Sequence, residues 1–306
     1  MLLREYIPAL RYGAKLLATD VSGPNAIGNV WYVNGCNEGG FANGNDANAG
    51  DEIGAPLATI KAALAKCINY HNDYIVVLDY WQPSGETFPI DVNVDTVNIV
   101  SLATLSGFPM GGPMIPWSII YTLGNYAAMD INANNVFIQG FQFYAGSASY
   151  PCITFNGKGF IHIDKCRFNV GNYGILSEAG GEVDVGLSVT DCWFQNGLGA
   201  GIYLNSDPAH CYIARNHFDR LTGVAISVVA GAGTVIEDNT IALAGDTAGA
   251  AITLGASCSR ITVTRNYTGY GEENGDAGNL PYTDAGTINN NAWILNYYGN
   301  KICGTT

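Results

Sequence analysis

The chain has 306 residues, with 13 Lys and Arg against 26 Asp and Glu, for a net charge of −13. Charged residues make up only 13%, while 39 Gly and 30 Asn together exceed a fifth of the chain. This composition excludes a coiled coil, a Glu/Lys-rich helical bundle and a charged disordered tail. The scattered cations exclude nucleic-acid binding and attraction to an anionic membrane surface.

Residues 1–28 read as an N-terminal arm. Leu2, Leu3, Tyr6, Ile7, Leu10, Leu16 and Leu17 give it apolar surface, Arg4, Arg11 and Lys15 form the densest basic patch, and Ser22-Gly23-Pro24-Asn25 is a hinge. Arg4, Glu5, Pro8 and Arg11 interrupt the apolar stretch a signal peptide needs, so export by the general secretory route is not expected. No run of 18 apolar residues exists to form a spanning helix. Residues 29–69 hold a first strand, WYVNG, a polar turn and a predicted capping helix. That helix begins near Pro56 and places Leu57, Ile60, Leu64, Cys67 and Ile68 on one face. In the turn, Asp46, Asn48 and Asp51 alternate oxygen donors as a calcium loop does, but without the closing bidentate Glu. A polar turn feeding the helix uses the same residue types.

Residues 70–268 read as a solenoid. Coils up to 128 are irregular, with YIVVLDYW and VNIVSLATL as strands, and a repeat takes over from 129. Its motif begins with an aliphatic residue at Ile138, Ile163, Val189, Ile213, Ile236 and Val263, at spacings of 25, 26, 24, 23 and 27. Three residues on stand Phe141, Cys166, Cys192, Asn216, Asn239 and Asn266, and between the motifs run Cys152-Ile153, Gly174-Ile175, Gly201-Ile202, Ala225-Ile226 and Ala251-Ile252. Two ladders sharing one period predict a coil per repeat, with parallel strands of successive coils stacked about 4.8 Å apart. Asn216, Asn239 and Asn266 are expected to stack at one corner, each bonding to neighbouring coils. The column before them, Gly140, Lys165, Asp191, Arg215, Asp238 and Arg265, alternates in sign from Lys165 on and reads as a surface charge ladder. Residues 269–306 form a C-terminal loop and a closing strand, AWILNYY. The eight cysteines contain no CxxC and no zinc spacing, which points to reduced, buried thiols.

The WYVNG strand, the Gly/Asn/Asp turn, PLATIKAAL and the Asn-bearing coils resemble the right-handed parallel β-helix, or pectin-lyase-like, superfamily over residues 29–268, most of all its bacteriophage tailspike, fibre and decoration proteins. The resemblance implies an all-β solenoid with a short capping helix. Lyases of this fold use an acidic cluster that holds calcium and an Arg or Lys base, and glycosidases use two or three carboxylates in one groove. The acidic stretch that could serve is Asp164, Glu178, Glu182, Asp184 and Asp191, with Lys165 and Arg167 nearby. None of the lyase or polygalacturonase signature motifs is visible. Trp193, Tyr203, His217 and Tyr267 are expected to project outward, where they could stack on sugar rings or be buried between subunits.

The expected function is a structural virion protein of a tailed bacteriophage: a capsid decoration, fibre or spike subunit that could bind host surface glycans. The alternatives are a polysaccharide lyase or glycoside hydrolase using Asp164, Glu178 and Asp191, and a glycan-binding adhesin without turnover. The implied partners are two further copies of the chain in a homotrimer, other virion proteins reached through residues 1–28, and a host polysaccharide. No cofactor is implied beyond the calcium reading of Asp46, Asn48 and Asp51.

Overall fold

The computed structural model describes residues 28–35, 42–80, 85–102, 118–122, 124–178, 185–195, 197–242, 251–269, 282–285 and 290–298, and the backbone of 301–303. Residues 1–27 of the N-terminal arm lie outside the described residues, as do Glu182 and Asp184.

The described residues wind through three sheets in turn: sheet A with ten described strands, sheet B with nine and sheet C with eight. One coil runs from Ile153–Phe155 in sheet C, to His162–Asp164 in sheet A, to Arg167–Phe168 in sheet B, and returns to sheet C at Gly171–Ser177. All pairings between coils are parallel, and the repeat sets their register. Ile138, Ile163, Val189, Ile213, Ile236 and Val263 stand side by side in sheet A, all buried. The fold is thus an all-β parallel β-helix, as the period requires.

The corner between sheets A and B holds the asparagine ladder. The Asn239 Oδ1 accepts from the Asn216 N–H at 2.9 Å and from its Nδ2 at 3.0 Å. The Asn239 Nδ2 donates to the Ile213 carbonyl at 3.0 Å and to the Asn266 Oδ1 at 2.9 Å. Asn266 repeats the pattern onto Asn296, so the closing strand AWILNYY carries a further rung of the ladder. That last rung is hidden in the sequence because Trp293 replaces the aliphatic residue and the spacing grows to 30. Towards the N-terminus Cys192 and Cys166 take the position. The Cys192 N–H still donates to the Asn216 Oδ1 at 3.0 Å, and the Cys166 N–H points at the Cys192 sulfur at 3.4 Å. The described cysteines 67, 152, 166, 192, 211 and 258 are free thiols. Burial pushes Cys152 up to about 12 and Cys192 upward as well, so both stay protonated and inert.

Just before each rung the chain turns through a left-handed residue: Lys165, Asp191, Arg215, Asp238 and Arg265 have φ between 49° and 56°. Such a conformation costs a residue with a Cβ about a kcal/mol or more. Charged side chains occupy it because the turn throws them into solvent, where they pair along the axis. Arg215 grips Asp191 through two bonds of 3.0 and 2.8 Å, and Arg265 grips Asp238 through two of 2.8 and 3.0 Å. Lys165 departs from the expected ladder and pairs with Asp164 of its own coil.

Inside, Phe143, Phe168, Phe194 and Phe218 stack as a column with ring centroids 5.4, 4.7 and 4.7 Å apart. This explains the small residue in the second motif. A Cβ on Gly174 would lie 2.6 Å from the Phe194 ring, and one on Gly201 would lie 2.6 Å from the Phe218 ring. Ala225 returns where Ile241 succeeds the phenylalanines.

The cap is shorter than the sequence pattern suggests. Helix α1 spans only Ile60–Leu64, with Thr59 as its N-cap. Leu57, Ile60 and Leu64 are buried over the first coils, but Cys67 is half-buried and Ile68 is exposed, because the helix ends before their turn would bring them round. On its outer face, sheet A carries a second apolar cluster, Tyr32, Val76, Leu78 and Val100, with Val30, Ile53, Tyr74, Leu102 and Phe137 packed against it.

The two corner ladders differ in worth. Asn239→Ala is expected to cost about 3 kcal/mol, since it strands buried polar groups on both neighbouring coils. Arg215→Ala, which removes an exposed pair, is expected to cost about 1 kcal/mol or less. Urea denaturation of both variants checks the order, and equal losses would contradict it.

Candidate functional site

The described carboxylates singled out in the sequence, Asp164, Glu178 and Asp191, do not converge on one face. Asp164 sits on sheet A at the corner and accepts from the Gln139 Nε2 at 2.7 Å, the Lys165 Nζ at 2.7 Å and the Thr190 Oγ1 at 2.9 Å. Asp191 is one coil further along the same corner, held by Arg215. Glu178 follows the Gly171–Ser177 strand of sheet C, on a different face, and accepts from the Thr154 Oγ1 at 2.9 Å. Lys165 stays with Asp164, and Arg167 lies on sheet B.

Sheet C gathers a different acidic group around Glu178. Asp91 and Asp130 are direct neighbours on adjacent strands, with Thr154 next in the same outward row. The Asn132 Nδ2 bridges the two acids, donating to the Asp91 Oδ1 at 2.9 Å and to the Asp130 Oδ2 at 3.0 Å. Burial holds the Asp130 carboxyl above its ordinary range, and the nearby Asp91 and Glu178 charges add to this against the bond from Asn132. Further along sheet C, Tyr173 and Tyr203 meet with ring centroids 4.9 Å apart. Sequence reasoning missed Asp91 and Asp130 because Asp91 lies in the irregular coils and Asp130 stands before the first motif residue, Ile138. The signal was there as Ile-Asp-Val at 90–92 and Met-Asp-Ile at 129–131, strands with a lone acid between two buried residues.

Trp193, His217 and Tyr267 fall in one outward row of sheet B, which runs Gln142, Arg167, Trp193, His217, Thr240, Tyr267, Tyr297. Tyr203, proposed with them, is on sheet C. The Arg167 guanidinium lies 5.0 Å from the Trp193 ring centroid and donates through both Nε and Nη2 to the Gln195 Oε1. Trp193 in turn meets His217 edge-on at 5.6 Å.

The calcium-loop residues serve the cap. The Asp46 Oδ1 accepts from the N–H groups of Ala58 and Thr59, both at 2.9 Å, and its Oδ2 from the Thr59 Oγ1 at 2.9 Å. The Asn48 Nδ2 donates to the Pro56 carbonyl at 2.7 Å. Asp51 has polar contacts of its own. Among the described residues no three His, Cys, Asp or Glu side chains are grouped to hold a metal ion.

With this geometry in place, comparison with known proteins bears on the fold. The family described as "Right handed beta helix region" matches residues 151–299, just under half of the chain. The solenoid is therefore a right-handed parallel β-helix, the hand that parallel crossovers nearly always take. Among solved structures, the chain is similar to a GH136 lacto-N-biosidase from Eubacterium ramulus, with 14% identity and a TM-score of 0.54. That match covers 88% of this chain but only 56% of the other. A pectate lyase is similar over 92% of this chain and 79% of its own, at 10% identity and a TM-score of 0.48. These likenesses concern the fold alone. No curated protein sequence matches the chain.

Asp130 yields a signed pH prediction. Its carboxyl binds a proton more tightly in the folded chain than in the unfolded one, so its contribution favours folding below the unfolded value near 4 and is lost as pH rises through the folded value. Asp130→Asn is expected to raise the urea midpoint at pH 7, and the gain is expected to shrink towards pH 3. A lower midpoint at pH 7 would contradict this.

Proposed function

We propose that the chain is a structural subunit of a tailed-bacteriophage particle: a rigid β-helical decoration, fibre or spike module joined to other virion proteins through residues 1–28. One observation carries the reading. The described carboxylates that the sequence offers for chemistry are tied to other side chains of the solenoid, with Asp164 bonded to three donors on its own and neighbouring coils, Asp191 clasped by Arg215 and Glu178 tied to Thr154. Such investment stiffens a rod, which is what a particle appendage needs. The apolar and basic residues of the arm, Leu2, Leu3, Tyr6, Ile7, Arg4 and Arg11, suit a docking segment. The test is mass spectrometry of purified particles together with deletion of residues 1–22. The chain is expected among the particle proteins, and the deletion is expected to leave a folded solenoid that no longer joins the particle. Normal incorporation of the truncated chain would refute the attachment role.

A second reading, a glycoside hydrolase, is favoured by the Asp91, Asp130 and Glu178 group, where a carboxyl that burial holds above its ordinary range stands beside two further acids. Proton donation by one carboxyl and assistance by another is the chemistry of glycoside cleavage, and the fold is similar to that of a lacto-N-biosidase. A reducing-end assay on oligosaccharides separates the two readings. The structural reading expects no release. Release abolished by Asp130→Asn and Glu178→Gln would establish the second.

A further inference from the structure

One patch on the outer face of sheet B holds hydrogen-bond donors that no described group answers. Arg167 and Trp193 are paired neighbours there. Asn169 and Gln195 take the next outward positions on the same two coils, and the N–H of each continues the ladder onto the preceding coil. The Gln195 side chain faces outward, since its Oε1 accepts from the Arg167 Nε at 2.8 Å and from its Nη2. Asn169 is the counterpart of Gln195 one coil earlier. It is only 7% exposed, and its Nδ2 has no hydrogen-bond partner. The Trp193 Nε1 is likewise buried without one. Among the described residues Arg167 forms no ion pair, while Arg215, Arg220 and Arg265 each grip an acid of their own chain. Its guanidinium lies against the Trp193 ring and spends its described bonds on a single neutral oxygen, which leaves Nη1 and the outer edge of the fork open.

A buried donor without a partner costs about 1–3 kcal/mol, and native structures rarely leave one so. Here two such donors flank a cation. The rows around them are neutral on the preceding coil, at Gln142 and Tyr144, and the described acid next in the row past Gln195, Asp219, is paired with Arg220. We propose that this patch is a binding subsite for one carboxylate, carried on a sugar acid or on a simple organic acid. Arg167 takes the carboxylate through its open edge, with the Asn169 Nδ2 and the Trp193 Nε1 as further donors. The planar fork of a guanidinium matches a carboxylate, and bonds of this kind are stronger than neutral ones. One guanidinium balances one negative charge, and a chain of net charge −13 opposes a dianion more than a monoanion. Trp193 and Gln195 hold the guanidinium in place beforehand, so little side-chain freedom is lost on binding. The sequence offered Trp193 as a platform for sugar rings. With Arg167 against its ring, its part is that of an N–H donor.

The inference goes beyond the structural-subunit reading and does not depend on it. The test is a proton–nitrogen correlation spectrum of the full-length chain, in which each of the five tryptophans gives one indole N–H peak. The peak lost in W193F is that of Trp193. Sodium glucuronate and sodium acetate, titrated at an ionic strength held constant with sodium chloride, are expected to move that peak saturably and to leave the other indole peaks in place. Glucose, a similar ring without the carboxylate, is expected to leave it unmoved. R167Q removes the charge, and Q195E gives Arg167 an anion of its own. Each is expected to weaken binding about tenfold or more, with the other indole peaks as the control for folding. Tighter binding of glucuronate than of acetate would support the subsite with a sugar acid as its ligand, and equal binding would support it with a simple carboxylate. No saturable movement with either acid would overturn the proposal. So would glucose acting like glucuronate, sulfate moving the peak more than either acid, or R167Q and Q195E chains that respond like wild type.

Discussion

Everything in this molecule depends on the axial repetition of one strand spacing. A parallel coil has no covalent link to the coil above it except where the chain passes on. Its height and register must therefore come from groups that repeat at that spacing. The asparagine ladder meets the need most directly. The Asn239 amide accepts from the main chain and side chain of Asn216 on one neighbouring coil, donates to the Ile213 carbonyl of that same coil, and donates to the Asn266 amide oxygen of the next. The backbone at that corner is buried and bent out of the sheets, so without the ladder its polar groups would be unmet.

The same spacing organises the core. Aromatic rings stacked 4.7 Å apart repeat at nearly the strand separation, so a phenylalanine column adds packing without disturbing register. Opposite Phe194 and Phe218 it does so only because Gly174 and Gly201 leave room on sheet C. The substitution of Cys for Asn at 166 and 192 shows how the corner relaxes next to this column, where Phe141 begins the row. A thiol keeps the volume and offers the next main-chain N–H a sulfur in place of an amide oxygen.

Outward chemistry follows from the division between corner and face. At the corner the left-handed turn sends charges into water, where they pair along the axis and add little stability. On the faces of sheets B and C, side chains project side by side from flat strands, and groups left without a cation or an anion of their own can meet a ligand. Of the acids gathered on sheet C, Glu178 was named from the sequence but Asp91 and Asp130 were not, and their grouping is a property of a surface that only coiling creates.

The sequence by itself determined the solenoid, its period and the register of sheet A, because a residue at a fixed place in each coil must meet its counterpart, and that constraint writes itself into spacing. The positions of Asn216, Asn239 and Asn266 could be read this way, as could the small residues facing the phenylalanines. What only the tertiary structure decided was which residues share a face. Tyr203 parts from Trp193, and Glu178 parts from Asp164 and Asp191, although each set lies on neighbouring coils. Linear spacing records the coil number but not the angle around the axis once loops vary in length. Asp91 and Asp130 show the converse. They are 39 residues apart across an irregular coil, yet they become adjacent because the hydrogen-bonded ladder of sheet C, and not the length of the loop between them, sets where each strand lies.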